Sequence, residues 1–202
     1  MDDEKAGEKP AATAGFSYLL RLAGQLGATA AVPIASAAVP VVDELADRCR
    51  QPRCEGYGLS ASCPPYVGGP PAMRRLLDQF PRALVLKIDL PADVLFSSDR
   101  DEAFRLLHEL VAAVEQAAGQ RGHAARGFAG GSCKNLFCRD HAVCRVLVEG
   151  GGCRHPQVAR PSMSGFGVEV TGLLQAASLV LARAAADAGD GLASLCGLVL
   201  LA

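Results

Sequence analysis

The sequence predicts an α/β or α+β domain, in which a single sheet with flanking helices carries two long cysteine-rich metal-binding loops. Short apolar runs typical of strands alternate with stretches of helical periodicity. Two irregular segments, residues 49–71 and 133–160, interrupt this alternation. Seven of the eight cysteines fall inside those two segments.

The composition fits one packed domain with an aliphatic core. The chain has 202 residues, of which 50% are hydrophobic, with no tryptophan, three tyrosines and seven phenylalanines. Residues 1–14 are polar and rich in alanine, glycine and proline, so we expect a flexible N-terminal tail there. A single metal-binding domain is expected over residues 15–202.

Charge and hydropathy exclude two classes of partner. The formal net charge is −1, which argues against a nucleic-acid partner because such proteins need a basic excess. Residues 15–42 are fairly apolar, but Arg21, Pro33 and Pro40 interrupt them, whereas a membrane span needs about 20 apolar residues. With no secretory signal at the start, we expect a cytoplasmic chain, in which clustered cysteines more often bind metal than form disulfides.

Five elements are predicted before residue 91. Leucines at helical spacing predict a helix over residues 16–26, and a strand over residues 28–34 follows. A short helix over residues 41–48 leads into the first cysteine segment. After that segment we expect a helix over residues 73–79. The run ALVLKIDL at residues 83–90 predicts a strand that ends at a proline.

The longest helix is predicted over residues 99–120. Ser98 or Asp99 would cap it, and acidic residues occupy its first turn, where the helix dipole favours them. Apolar residues recur along it at helical spacing, and His108 is expected to lie on its polar face, in solvent. The remaining elements are strands over residues 123–129, 168–170 and 195–201 and a helix over residues 173–186.

The cysteine spacing in the two irregular segments indicates a metal site. The first segment reads Cys-x4-Cys-x8-Cys followed by two prolines, and the second reads Cys-x4-Cys-x5-Cys-x8-Cys. Irregular backbone lets several thiolates converge on one point and leaves amides free to donate to sulfur. The candidate metal ligands are Cys49, Cys54, Cys63, Cys133, Cys138, Cys144 and Cys153. Cys196, within an apolar strand, is expected in the core.

Thiolate ligands suit either an iron–sulfur cluster or zinc. Zinc modules usually place two to four residues between paired ligands, and the x5 and x8 gaps fit neither such a module nor the x2 gaps of the ferredoxin run. The pair Cys63-Pro64 is common after cluster ligands, so we favour one or two [4Fe-4S] clusters and keep zinc as the alternative. The four cysteines of the second segment would complete one site, whereas three in the first would leave a position open for substrate. Cysteines of both segments could also share one site, or His141 or His155 could supply a ligand.

Basic residues accompany the cysteines. Residues 48–66 and 133–160 carry eight arginines and lysines against three acidic residues. Such cations stabilise thiolates and offset the negative charge of a cluster. They would equally attract a small anionic substrate or a redox partner protein. The triplet Ser60-Ala61-Ser62 before Cys63 carries no predicted function.

Three stretches resemble a known family. They are CRQPRCEGYGLSASCPP at residues 49–65, GGSC at residues 130–133 and CRHPQVARPSMSGFGVEV at residues 153–170. Together they are similar to a widespread prokaryotic family of unknown function, described as cysteine-rich predicted metal-binding proteins. The resemblance implies a metal site at the matching cysteines. In family members the cysteines after GG-x-C are usually closely spaced, whereas Cys138 and Cys144 stand apart.

The resemblance also includes the turn Arg160-Pro161-Ser162. Ser162 would cap a short turn whose amides face the site, and Arg160 would hold an acceptor nearby. Both are therefore candidate cofactor-binding residues.

The sequence thus predicts an iron–sulfur protein with a redox role. It would either pass electrons to a partner enzyme or carry out a reductive or sulfur-handling step at an open cluster position, so an enzymatic activity is not decided. The alternatives are a zinc-stabilised interaction module, a metal-dependent hydrolase and a metal chaperone.

Overall fold

One four-stranded antiparallel sheet organises the part of the chain that a computed structural model describes, residues 15–182 and 191–202. Helices pack on both faces of the sheet, and the strand order is β1-β2-β4-β3. The strands are β1 (Ala30–Ala35), β2 (Arg82–Pro91), β3 (Ala125–Phe128) and β4 (Leu192–Leu201). The α+β class is confirmed. The predicted tail at residues 1–14 lies outside the described residues.

Seven α-helices occur within the described residues. They are α1 (Ser17–Gln25), α2 (Asp43–Asp47), α3 (Gly69–Gln79), α4 (Arg100–Gln120), α5 (Cys133–Phe137), α6 (Arg145–Val148) and α7 (Val170–Ala176). Helix α3 begins four residues before its predicted start, because prolines are tolerated in a first turn whose N–H groups need no partner. Two short helices, α5 and α6, interrupt the segment predicted to be irregular. None of the described helices combines the length and apolar character that crossing a bilayer demands.

The predicted strand over residues 168–170 is wrong. Val168 makes one isolated antiparallel bridge with Val41, and helix α7 begins at Val170. The Glu169 carboxylate accepts from two amides of the first turn of α7, so it acts as the N-cap. Helix α7 ends at Ala176, and the end of the helix predicted over residues 173–186 falls outside the described residues.

Strand β2 is buried on both faces. Leu84 and Leu86 pack in the core beneath α1 and α4, whereas Ala83 and Val85 belong to the core beneath α3 and α7. Its neighbour β4 alternates in the same way, and the two strands pair over their whole length. Covering both faces explains why both strands are apolar over most of their length. The apolar run of β2 is interrupted by Lys87 and Asp89, which pair with each other at 2.7 Å.

Helix α4 approaches the sheet closely because glycine lies under it. Val111 of α4 points at Gly127 in β3 and Gly197 in β4. A Cβ atom on Gly127 would lie 2.6 Å from a Val111 methyl, and one on Gly197 would overlap the other methyl. The two glycines therefore set the distance between α4 and the sheet, and with it the position of the loops that α4 supports.

We expect Gly197→Ala to lower the free energy of unfolding by about 1–3 kcal/mol, because the added methyl overpacks the core against Val111. Chemical denaturation would measure the change. The matched control is Gly24→Ala in α1, where nothing lies within 4 Å of the added methyl; alanine there should stabilise the chain by about 0.5–1 kcal/mol. Equal effects of the two substitutions would contradict the packing account.

Candidate metal centre

Two cavities divide the seven candidate cysteines by loop. The larger, of ≈ 110 Å³, is lined by the three cysteines of the first loop, Cys49, Cys54 and Cys63. The smaller, of ≈ 20 Å³, is lined by the four cysteines of the second loop, Cys133, Cys138, Cys144 and Cys153. We call these the three-cysteine and the four-cysteine cavity.

The two loops meet at a shared wall. The Cys63 thiol of the first loop donates to the Ser132 hydroxyl of the second at 3.6 Å, next to Cys133. Gly56 permits this approach, since a Cβ atom there would lie 2.7 Å from the Cβ of Ser132. Cys63 and Cys133 are both buried, and each belongs to a different cavity. The two groups of thiols are therefore neighbours.

Serine hydroxyls lie against the buried thiols at this wall. Burial raises the pKa of Cys63, and the hydroxyls of Ser60 and Ser132 partly offset that rise. Burial likewise raises the pKa of Cys133, where Ser62 and Ser60 act in the opposite direction. No function was predicted for residues 60–62. In the sequence they stand out only because they directly precede the candidate ligand Cys63.

Cys144 is biased towards the thiolate. Burial raises its pKa, but the backbone amides of Ala61, Leu147 and Val146, helped by the charge of Arg154, outweigh burial and leave the pKa below its ordinary value. Ala61 belongs to the first loop, so this loop contributes a donor to the four-cysteine cavity. A second amide contact comes from His155, whose N–H donates to the Cys153 Sγ atom at 3.4 Å.

Three cations line the four-cysteine cavity and also hold its backbone. Lys134 donates to the carbonyl of Cys138 at 2.9 Å. Arg145 donates to the carbonyl of Gly152 at 2.7 Å, and Arg154 to that of Val143 at 3.1 Å. Positive charge is thereby fixed beside the thiols, where it favours their ionised form.

The donor set suits a thiolate-bound metal. All seven candidate ligands are free cysteines, and soft thiolates select zinc and iron–sulfur centres. The thiols surround the cavities without converging: across residues 15–182 and 191–202, no three Cys, His, Asp or Glu side chains form a group that could hold a metal ion. Closure around a metal therefore requires the cysteine side chains to turn inward.

His108 is buried, so its predicted solvent exposure is wrong. Its Nδ1 atom accepts from the backbone N–H of Arg160 at 3.1 Å, which places the proton on Nε2, and Nε2 donates to the carbonyl of Gly130 at 2.9 Å. Gly130 precedes the second cysteine loop and Arg160 ends it. The imidazole thus fastens both ends of this loop to α4.

The two candidate cofactor-binding residues lie in different surroundings. Arg160 is buried, pairs with Glu115 of α4 and donates to the carbonyls of Pro156 and Ala159 at 3.1 and 2.9 Å. It is not among the residues lining the two cavities. Ser162 lines the three-cysteine cavity, and its hydroxyl accepts from the amide of Gly165 at 3.2 Å. A cofactor-binding role stays a prediction for both.

His155, His141 and Cys196 lie in three different environments. His155 lines the four-cysteine cavity, whereas His141 is exposed and is not among the residues lining it. Cys196 is buried in β4 in the core beneath α3 and α7, as expected, and burial raises its pKa to about 12.

The stability of the metal-free chain should fall in acid because of His108. Burial lowers its pKa from 6.5 to about 4. Above pH 6.5 the imidazole is neutral in both states, so its contribution is complete. Between these values only the unfolded chain takes up the proton, so by pH 4 about 3 kcal/mol of the free energy of unfolding should be lost.

Urea denaturation between pH 7 and 4 checks this prediction by comparing the free energy of unfolding of the metal-free chain with that of the metal-free variant His108→Gln. Glutamine keeps a donor and an acceptor but does not titrate, so the variant should be less stable at pH 7 and lose less stability in acid. Parallel curves for the two proteins would contradict this assignment.

Comparison with known proteins agrees with the cysteine geometry. A sequence model of a family described as "Predicted metal-binding protein (DUF2284)" matches residues 32–201. The match includes both cysteine loops and all seven candidate ligands. No curated protein and no solved structure matches the chain significantly. The chain therefore belongs to the DUF2284 family of predicted metal-binding proteins.

Proposed function

We propose that the chain is an iron–sulfur protein with a redox role. The observation that carries the proposal is the arrangement of seven thiols around two adjacent cavities, four around one and three around the other. Four thiolates complete the ligand set of a [4Fe-4S] cluster, whereas three leave one position free. Cys133, Cys138, Cys144 and Cys153 would hold the first centre, and Cys49, Cys54 and Cys63 the second.

The surroundings of the thiols support this assignment. Amides of Ala61 and His155 face the sulfur atoms of Cys144 and Cys153, and amide donors to sulfur are among the groups that set the potential of such centres. The ligand spacing, with gaps of five and eight residues, fits neither the ligand pairs of zinc modules nor the ferredoxin run, but the proline that follows Cys63 is common after cluster ligands. An iron–sulfur cluster supplies one-electron chemistry when bound.

The three-cysteine cavity would hold a small substrate. Its lining carries Arg100 together with the carboxylates of Glu55 and Asp101, and Asn135 and Ser132 offer polar groups beside Cys49 and Cys63. Phe104 and Leu136 add apolar surface that limits water. These residues would bind and orient the substrate at the open position. A redox protein that docks at the same face would exchange electrons with the closed centre.

A zinc-stabilised interaction module is the second candidate. The four-cysteine cavity holds only ≈ 20 Å³, close to the space that a single water molecule needs, and one tetrahedral Zn²⁺ takes four thiolates. In that case the three-cysteine cavity would carry no redox chemistry.

Anaerobic purification followed by iron, sulfide and zinc counts and a visible spectrum tests the proposal. We expect a brown protein with broad absorption near ~400 nm and about four irons with matching sulfide for one cluster, or about eight for two. A colourless protein that carries zinc and no sulfide would overturn the redox proposal in favour of the second candidate.

Cysteine variants test the division into two centres by metal content per chain. Cys153→Ala should empty the four-cysteine centre, and Cys49→Ala or Cys63→Ala should empty the three-cysteine centre, because a lost thiolate leaves the ligand set incomplete. The matched control is Cys196→Ala, a buried thiol in the core, which should retain all metal. Complete loss of metal in both Cys153→Ala and Cys49→Ala would indicate one shared site instead.

A further inference from the structure

The Ser60 hydroxyl is a buried polar group without a hydrogen-bond partner. Ser60 is 1% exposed, and its Oγ atom makes no hydrogen bond of normal geometry within the described residues. The residue lines the four-cysteine cavity although it belongs to the first loop. A serine of one loop thus lines the cavity of the other.

An unpartnered buried hydroxyl is costly. Folding removes it from water, and the lost hydration is regained only when another group accepts or donates. An unpartnered buried hydroxyl that also lines a candidate metal cavity therefore points to a partner that only the occupied cavity supplies. The Ser60 side chain lies against the thiols of Cys63 and Cys133, so one of these sulfur atoms is the acceptor available to it.

We infer that Ser60 is a positioning residue, whose O–H group donates a hydrogen bond to the Cys133 thiolate once a metal is bound in the four-cysteine cavity. Both residues line this cavity. A neutral thiol is a weak acceptor, whereas a metal-bound thiolate carries negative charge and accepts strongly. The inference rests on the proposed metal site at this cavity but not on the identity of the metal.

The donated bond has two consequences. It orients the Cys133 side chain towards the metal, as hydrogen bonds to ligand atoms commonly do. It also offsets negative charge on sulfur, so in an iron–sulfur centre it would favour the reduced state and raise the potential. Because Ser60 stands three residues before Cys63, the same contact links the wall of the three-cysteine cavity to the four-cysteine centre.

The chain offers a matched control in Ser36. Its hydroxyl is also buried at 1% exposure and lacks a partner within the described residues. Ser36 follows β1 and is not among the residues lining either cysteine cavity. Ser60→Ala and Ser36→Ala therefore remove the same group from equally buried positions, and only the first lies beside the thiols.

The experiment compares the two variants metal-free and with Zn²⁺. Both substitutions are made in a chain that also carries Cys49→Ala, which removes a candidate ligand from the three-cysteine cavity. Competition with a chromophoric chelator then measures the affinity of the four-cysteine cavity for Zn²⁺. Metal-free, neither variant should have a lower Tm than its parent, since each loses only an unpartnered hydroxyl. With Zn²⁺, Ser60→Ala should bind about 10-fold or more weakly, whereas Ser36→Ala should match the parent.

Equal zinc affinity of Ser60→Ala and Ser36→Ala would overturn the inference. So would a fall in the metal-free Tm of Ser60→Ala alone, because the hydroxyl would then stabilise the fold itself. If the purified protein carries iron and sulfide, the midpoint potential of Ser60→Ala should also be lower than that of Ser36→Ala. Absence of iron would end the proposed redox function while leaving the zinc measurement to decide the role of Ser60.

Discussion

The neutral imidazole of His108 is the contact on which the candidate centre depends. It is the point where the longest helix, α4, meets both ends of the second cysteine loop, with a donor at Nε2 and an acceptor at Nδ1. Only an uncharged imidazole offers both at once. Two turns further along the same helix, Glu115 pairs with the guanidinium of Arg160. One face of α4 therefore contacts the loop at two points. A loop of this length needs such anchors, because ordering its backbone costs conformational entropy.

The second cysteine loop in turn packs against the first and positions it. Residues 60–63 run along the wall where Cys63 meets Ser132, and the absence of a side chain at Gly56 allows the approach. Thiols, hydroxyls and an amide from both loops therefore share one small region.

Two electrostatic effects oppose each other in this region. Burial raises the pKa of Cys49, Cys63, Cys133 and Cys138, which favours their protonated form. Amides around Cys144 and the fixed arginines and lysine work in the opposite direction. Metal binding is consequently linked to proton release, and the fixed cations reduce the cost of gathering several thiolates in one place.

The sequence by itself determined most of the long elements and the grouping of the cysteines. Helix α4, strand β2 and strand β4 were predicted to within three residues at each end, because hydrophobic periodicity and long apolar runs are local signals. The two groups of cysteines were evident from spacing alone. Only the tertiary structure decided the strand order, the division of the thiols between two cavities, the burial of His108 and the position of Ser60 at the four-cysteine cavity. The partners of His108 lie 22 and 52 residues away, and no local pattern reports which polar groups such distant segments will cover.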